Sequence, residues 1–333
     1  MIEKFAELVH LAYRQENSIY VFVDMFKKLF TGGFSFKGVI AAFLAFAECI
    51  GCMLFDTPVT PRGDELDLSS YELVFEDEFE GDALDTDVWF TRGNGKRRSG
   101  YNAASQVSVE NGNLVITGEY RDASRGEYGE GWYVGAVALK ENRSQGYYEI
   151  RCKCNPGNQF WSAFWIQAVT NPYDHYISQG GVNGAEIDIF EAMSWKNTLP
   201  ANRNAVTSTI HCNGWDDDIE NIDSRCLGEF KVGNDIYNEY NTYGLEWTED
   251  EYIFYINGVE TARSSFGNGV SQVPEQLIVS LEIPDEEIQF DHDYTTEFVV
   301  DYVRIYQKTG EGSAEPAVPE QTTGFWDFLK PVC

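Results

Sequence analysis

"GAEIDIFEAMSW" (184–195) carries three carboxylates in six positions, Glu186, Asp188 and Glu191, inside an otherwise apolar run. Successive side chains of a strand alternate between its faces, so Glu186 and Asp188 share one. Glu191 has the opposite parity. It joins them only if a β-bulge at Ile189-Phe190 adds one residue and turns the strand end back. Three acids on one face repel one another, so at least one carboxyl should keep its proton above the ordinary range. A protonated carboxyl beside an ionised one suits glycoside cleavage, in which one attacks and the other protonates the leaving oxygen. The same alternation also suits a solvated face or oxygen ligands for Ca²⁺, and spacing alone leaves these open.

The flanking sequence supports the strand. From Tyr71 onward, "YELVFE", "NLVITGEY", "VGAVALK", "YYEIRCK", "EYIFYIN" and "FVVDYVRIYQ" are short runs rich in β-branched and aromatic residues. Asn111-Gly112 and Asn257-Gly258 stand between such runs as hairpin signals. This pattern predicts an all-β domain, an antiparallel sandwich or barrel, over 71–308. Residues 1–56 differ. "FAELVHLAYRQENSIYVFVDMFKKLF" (5–30) has a loose helical period, and Val39 to Phe55 is an apolar run interrupted by Glu48 and preceded by Lys27, Lys28 and Lys37. A secretory signal, a membrane anchor and a soluble helix all fit that run. The expected location is extracytoplasmic, secreted or held at a membrane through 39–55. Residues 57–70 read as a linker, and 309–333 as a tail rich in Pro, Gly, Ser and Glu.

The 333 residues include 54 acidic and 24 basic ones, a formal charge of −30. No basic footprint for nucleic acid is visible, and a neutral partner is easier to accommodate than a polyanion. The segment Lys96-Arg97-Arg98 is a local exception to the global sign. Aromatics make up 15% of the chain, enough for both a core and stacking platforms for sugar rings. Seven cysteines leave an odd count; Cys152 and Cys154 would share a strand face, Cys212 and Cys226 are candidates for pairing, and no Cys/His cluster has zinc spacing.

"GAEIDIFE" in this setting resembles glycoside hydrolase family 16, retaining endo-glycanases with a concanavalin-like β-jelly-roll and a concave substrate cleft. The similarity extends to "YELVFEDEFEGDALDTDVW" (71–89), "VENGNLVITGEY" (109–120), "GYYEIRCK" (146–153), "FWSAFWIQ" (160–167), "YNTYGLEWTEDEYIFYINGVE" (240–260) and "VVDYVRIYQ" (299–307), in that order. The resemblance implies that Glu186 is the nucleophile, Asp188 the assisting acid and Glu191 the general acid/base. The chain carries the bulged version of the strand, which points to the laminarinase-like and galactan-cleaving branches. Trp161, Trp165 and Gln167 share parity, and the resemblance sets their strand beside the catalytic one. Trp161, Trp165, Trp195, Trp215, His211 and Arg97 are the expected substrate contacts, while Trp89 and Trp247 are assigned to packing. The chemistry needs no cofactor. A structural Ca²⁺ away from the cleft is implied at Glu78, the Gly112 carbonyl and Asp301.

The expected activity is endo-hydrolysis of a β-1,3 or β-1,3/1,4 glucan by a monomer. One departure bears on it: "RGNGKRRSGYNAASQ" (92–106) lacks the Asn-Glu-aromatic run of the best-known laminarinases. A galactan- or agar-type hydrolase is therefore the alternative, with a transglycosylase on the same intermediate. A lectin on this fold should have lost one or both glutamates, and both are present.

Overall fold

The computed structural model describes residues 63–309 apart from 157–158, 169–179, 194–203, 213–222, 233 and 268. The expected helical extension (1–56), most of the tail and the first residues of the linker lie outside the described residues. Two sheets pack face to face. The larger, of 11 strands, runs β16 (Val259–Ser264), β15 (Tyr252–Ile256), β14 (Asn241–Trp247), β9 (Gly146–Lys153), β18 (Thr295–Lys308), β6 (Asn113–Arg121), β7 (Gly131–Val134), β4 (Gly100–Asn102) and β3 (Gly95–Arg97). β1 (Tyr71–Asp77) joins β18, and β5 (Val107–Glu110) joins β6. The smaller, of seven strands, runs β13 (Asp223–Lys231), β12 (Ala205–Cys212), β11 (Glu186–Glu191), β10 (Trp161–Gln167), β17 (Gln276–Glu282), β8 (Ala136–Leu139) and β2 (Trp89–Thr91). All pairings are antiparallel except β4 with β7, where Tyr101 meets Tyr133 in parallel.

Alternation builds the layers. Leu114, Ile116, Ile150, Leu245, Val300 and Val303 from the larger sheet meet Phe164, Ile166, Ile187, Ile210, Val279 and Leu281 from the smaller in one core. The other face of the smaller sheet holds a second cluster of Ala138, Trp161, Ala163, Trp165 and Ile278. Trp89 and Trp247 are buried in the main core, as expected. Both Asn-Gly pairs make hairpins, with φ of 54° and 71° at Asn111 and Gly112 and 50° and 74° at Asn257 and Gly258. Two successive left-handed residues form the turn whose twist matches its strands.

The end of the expected linker is paired, not free. Leu66 N–H donates to Gly258 O at 2.8 Å and Glu260 N–H donates to Asp64 O at 2.9 Å. Leu66 and Leu68 pack on Tyr147, Ile253 and Tyr255, outside the larger sheet. Composition alone hid this, because two leucines among polar residues carry no periodicity.

The bulge lies where the parity argument puts it. On one side, Trp165 pairs with Asp188 and Phe164 with Phe190, so Ile189 is the extra residue. On the other, Thr209 pairs with Asp188 and Thr207 with Glu191. The Ile189 carbonyl, displaced from the ladder, accepts a hydrogen bond from the buried Ser208 hydroxyl at 2.8 Å. Ser208→Ala would leave that carbonyl unsatisfied in the core, and we expect a loss of about 1–3 kcal/mol in denaturant unfolding. Unchanged stability would show that the bulge does not need this donor.

Candidate active site

The bulge brings all three acids to the outer face of the smaller sheet, each with a named partner. Gln167 Nε2 donates to Glu186 Oε2 at 2.6 Å, and Trp161 Nε1 donates to Glu191 Oε1 at 2.9 Å. Between them, Asp188 Oδ2 lies 3.1 Å from His211 Nε2. The other ring nitrogen of His211 is 2.6 Å from the Ser224 hydroxyl, its cross-strand partner. With that hydroxyl donating to Nδ1, the ring presents Nε2–H to Asp188.

Burial pushes Glu186 up to about 8, with the Asp188 charge adding to it and His211 and Arg92 opposing. Glu191 is also raised to about 8, by burial first and then by Asp188. Asp188 rises to about 7, again chiefly through burial, with Glu282 next. Carboxyls this close titrate as one system, which holds fewer than three charges near neutrality. Glu282 behaves in the opposite way. Burial alone would raise it, but Arg97 and Arg98 together hold it below the usual range.

Trp161 and Trp165 do lie beside the acids, 4% and 7% exposed. Their ring faces are met by guanidinium groups: Arg98 sits 5.0 Å over Trp161 and Arg92 4.9 Å over Trp165. Trp165 Nε1 donates to Ser280 Oγ at 3.0 Å. Arg97 is held by Glu282, with Nη2 at 2.6 Å and Nε at 3.1 Å from the same oxygen. Trp195 and Trp215 lie outside the described residues. Sequence reasoning missed Arg92, Ser224 and Glu282, while Arg98 belongs to the basic segment already singled out. The only signal was weak: Gln276, Ile278, Ser280 and Glu282 share the parity that faces the acids, as their pairing with β10 confirms. Cys212 stands opposite Asp223 and Cys226 opposite Thr209, so the expected pair is staggered in register and does not sit cross-strand.

The sequence profile described as "Beta-porphyranase A-D, GH16 domain" matches residues 73–308, all of the two-sheet body but the first two residues of β1. This chain belongs to glycoside hydrolase family 16. Among its relatives, it is 26% identical over 291 residues to Glucan endo-1,3-beta-glucosidase A1 of Niallia circulans, covering 76% of this chain and 39% of that protein. It is 30% identical over 190 residues to Beta-porphyranase E of Zobellia galactanivorans, covering 55% of this chain and 65% of that one. The chain thus spans less than two thirds of either relative's length. The solved structure of SCLam, described as a non-specific endo-beta-1,3(4)-glucanase from family GH16, matches with a TM-score of 0.60 at 26% identity, covering 75% of this chain and 97% of that one. The family's jelly-roll is the fold seen here.

The family's calcium site fits this chain poorly. Asp301 is the extra residue of a bulge in β18, and its carboxylate forms an ion pair with Arg151. Arg304 Nη2 and Nε both reach Glu78 Oε1, at 2.7 and 2.9 Å. Gly112 lies in the β5–β6 turn. A cation at Glu78 and Asp301 would compete with the two guanidiniums that already engage these carboxylates, so we expect chelation by EDTA to leave the melting temperature of the full chain unmoved. A fall in that temperature, restored by Ca²⁺, would show that an ion binds.

One acid outside the trio also bears on β11. Glu275, 1% exposed, accepts the Ala185 N–H at 2.8 Å, just before β11. Burial raises it to about 8. It binds a proton in the folded state that the unfolded chain releases above about 4.5, so its presence costs stability as pH rises from there to about 8. Glu275→Gln keeps the acceptor without the charge. The variant should melt higher than wild type at pH 8–9 and alike near pH 4, in paired thermal scans.

Proposed function

We propose that this chain is a retaining endo-glycoside hydrolase that cleaves internal bonds of a β-1,3 or β-1,3/1,4 glucan. The observation that carries the reading is the bulge, which sets Glu186 and Glu191 on one face with Asp188 between them. The glucan is supported by the glucanases among the relatives and by the neutrality of such a substrate toward an acidic chain.

In this mechanism the Glu186 carboxylate attacks the anomeric carbon while the Glu191 carboxyl gives its proton to the departing glycosidic oxygen. The glycosyl ester on Glu186 is then attacked by water. Glu191, now ionised, takes the water proton, and the anomeric carbon–Glu186 bond breaks with net retention. The reactive form has Glu186 ionised and Glu191 protonated. Asp188, oriented by His211, tunes both through its charge. Burial beside two other acids suits Glu191 to hold a proton at a pH where an exposed glutamate would have lost it.

Arg92 and Arg98 over the indoles favour a second reading, an agar-type galactan that carries sulfate, in keeping with the porphyranase profile and relative. Incubation of the protein with laminarin, mixed-linkage β-glucan, agarose and porphyran, scored by new reducing ends, separates the two. Glucan cleavage supports the first reading; activity confined to porphyran or agarose replaces it with the second. Glu186→Gln should lower turnover by at least about 10³-fold on whichever substrate is cut, as expected for loss of a nucleophile. Glu191→Ala should spare aryl glycosides with good leaving groups far more than polysaccharide; equal losses on both would remove the acid role.

A further inference from the structure

We infer that Arg92, acting through Gln167, is a positioning residue that selects Glu186 as the ionised member of the two glutamates, an inference that rests on Glu186 being the nucleophile. The two start from equivalent surroundings. Both are glutamates on one strand, both flank Asp188, and both feel His211. Retaining catalysis nevertheless requires one to be charged and the other protonated, so something outside the trio has to tell them apart.

Arg92 follows β2, and its backbone N–H is fixed on Ala136 O at 2.8 Å. Its Nη2 donates to Gln167 Oε1 at 2.7 Å, while the guanidinium lies over the Trp165 ring. An amide has one acceptor end and one donor end. With Oε1 committed to Arg92, Nε2 is turned to Glu186, where it donates at 2.6 Å. The flipped amide would aim its oxygen at the carboxylate and its N–H groups at the guanidinium, repulsive at both ends. Arg92 thereby guarantees Glu186 a donor, which favours the charged carboxylate, and adds a positive charge on that side.

The groups facing Glu186 are Asp188 and Glu191 on its own strand, His211 on β12, Arg92 beyond β2, Arg97 on β3 and Glu275 before β17. Asp188 and His211 act on both glutamates and do not discriminate. At Glu191 the arrangement is reversed: Trp161 donates to it, but the charge beside it is Glu282. Arg97 and Arg98 engage Glu282, at 2.6 and 3.8 Å. Arg92 therefore acts on the nucleophile end, whereas at the acid end the arginines are taken up by Glu282.

The test is the pH profile of kcat/KM on the substrate that the wild type cuts, for Arg92→Met, Arg92→Lys, Gln167→Met and the Arg92→Met/Gln167→Met double variant, with melting temperatures alongside. Activity falls at low pH as the nucleophile takes up its proton, so losing Arg92 should move the acid limb to higher pH by about one unit. That shift is about a tenfold loss on the acid side. Arg92→Lys should move it less. Gln167→Met should move it in the same direction but less far, because the Arg92 charge remains, and the double variant no further than Arg92→Met, since the amide acts only as Arg92 orients it. A fall in kcat/KM with the acid limb superimposed on wild type would reduce Arg92 to a structural prop and overturn the inference. If Arg92→Met fails to fold, Gln167→Met alone decides by the same limb. Glu186→Gln with wild-type turnover would overturn the nucleophile reading and this inference with it; an inactive Glu186→Gln beside an unmoved limb overturns the relay alone.

Discussion

Ile189 and Phe190 follow one another in the chain, yet both side chains point into the space between the sheets. A regular strand sends consecutive residues to opposite faces, so burying both requires the extra residue of a bulge. Phe190 packs against Tyr243 with ring centroids 4.1 Å apart and meets Phe298 edge-on at 6.3 Å. Without the bulge, regular alternation would send Glu191 into the core, and an unpaired carboxyl there costs several kcal/mol. Hydrophobic packing thus sets the geometry of the acids on the far side of the strand. The larger sheet takes part by packing on the apolar residues of β11 and by carrying Arg97 on β3.

The outer face built in this way concentrates charge that the fold must neutralise locally. Glu186, Asp188, Glu191 and Glu282 meet Arg92, Arg97 and Arg98, all drawn from a single short stretch after β2. The chain's −30 charge says nothing of this arrangement. Two of these arginines, Arg92 and Arg98, also set their guanidiniums over the two indoles, a cation–π contact that arginine makes more often than lysine.

Much of the site was legible because it depends on local periodicity. The mismatch in parity within "EIDIFE" called for a bulge, and Asn-Gly pairs called for tight hairpins; both are properties of a few adjacent residues. The shared parity of Trp161, Trp165 and Gln167 held for the same reason. Arg97 shows where that reasoning ends. It was singled out as a substrate contact, and nothing in the sequence signalled that its guanidinium pairs with Glu282 or that its neighbour Arg98 covers Trp161. Asp301 and Glu78 were similarly matched to a calcium site by motif, yet Arg151 and Arg304 engage their carboxylates.

By itself, then, the sequence determined that its strongly patterned segments form strands, where the Asn-Gly pairs turn them, and which side chains of those segments share a face; short strands such as β3 and β4 carry too few residues for a pattern. Strand period and left-handed turns are settled within a few residues, so they can be read from one segment at a time. Only the tertiary structure decided which partner each polar group takes. Arg92 finds Gln167 across 75 positions and Arg97 finds Glu282 across 185. Such pairs form because strand order brings distant segments to one face, and neither segment alone records what it will meet.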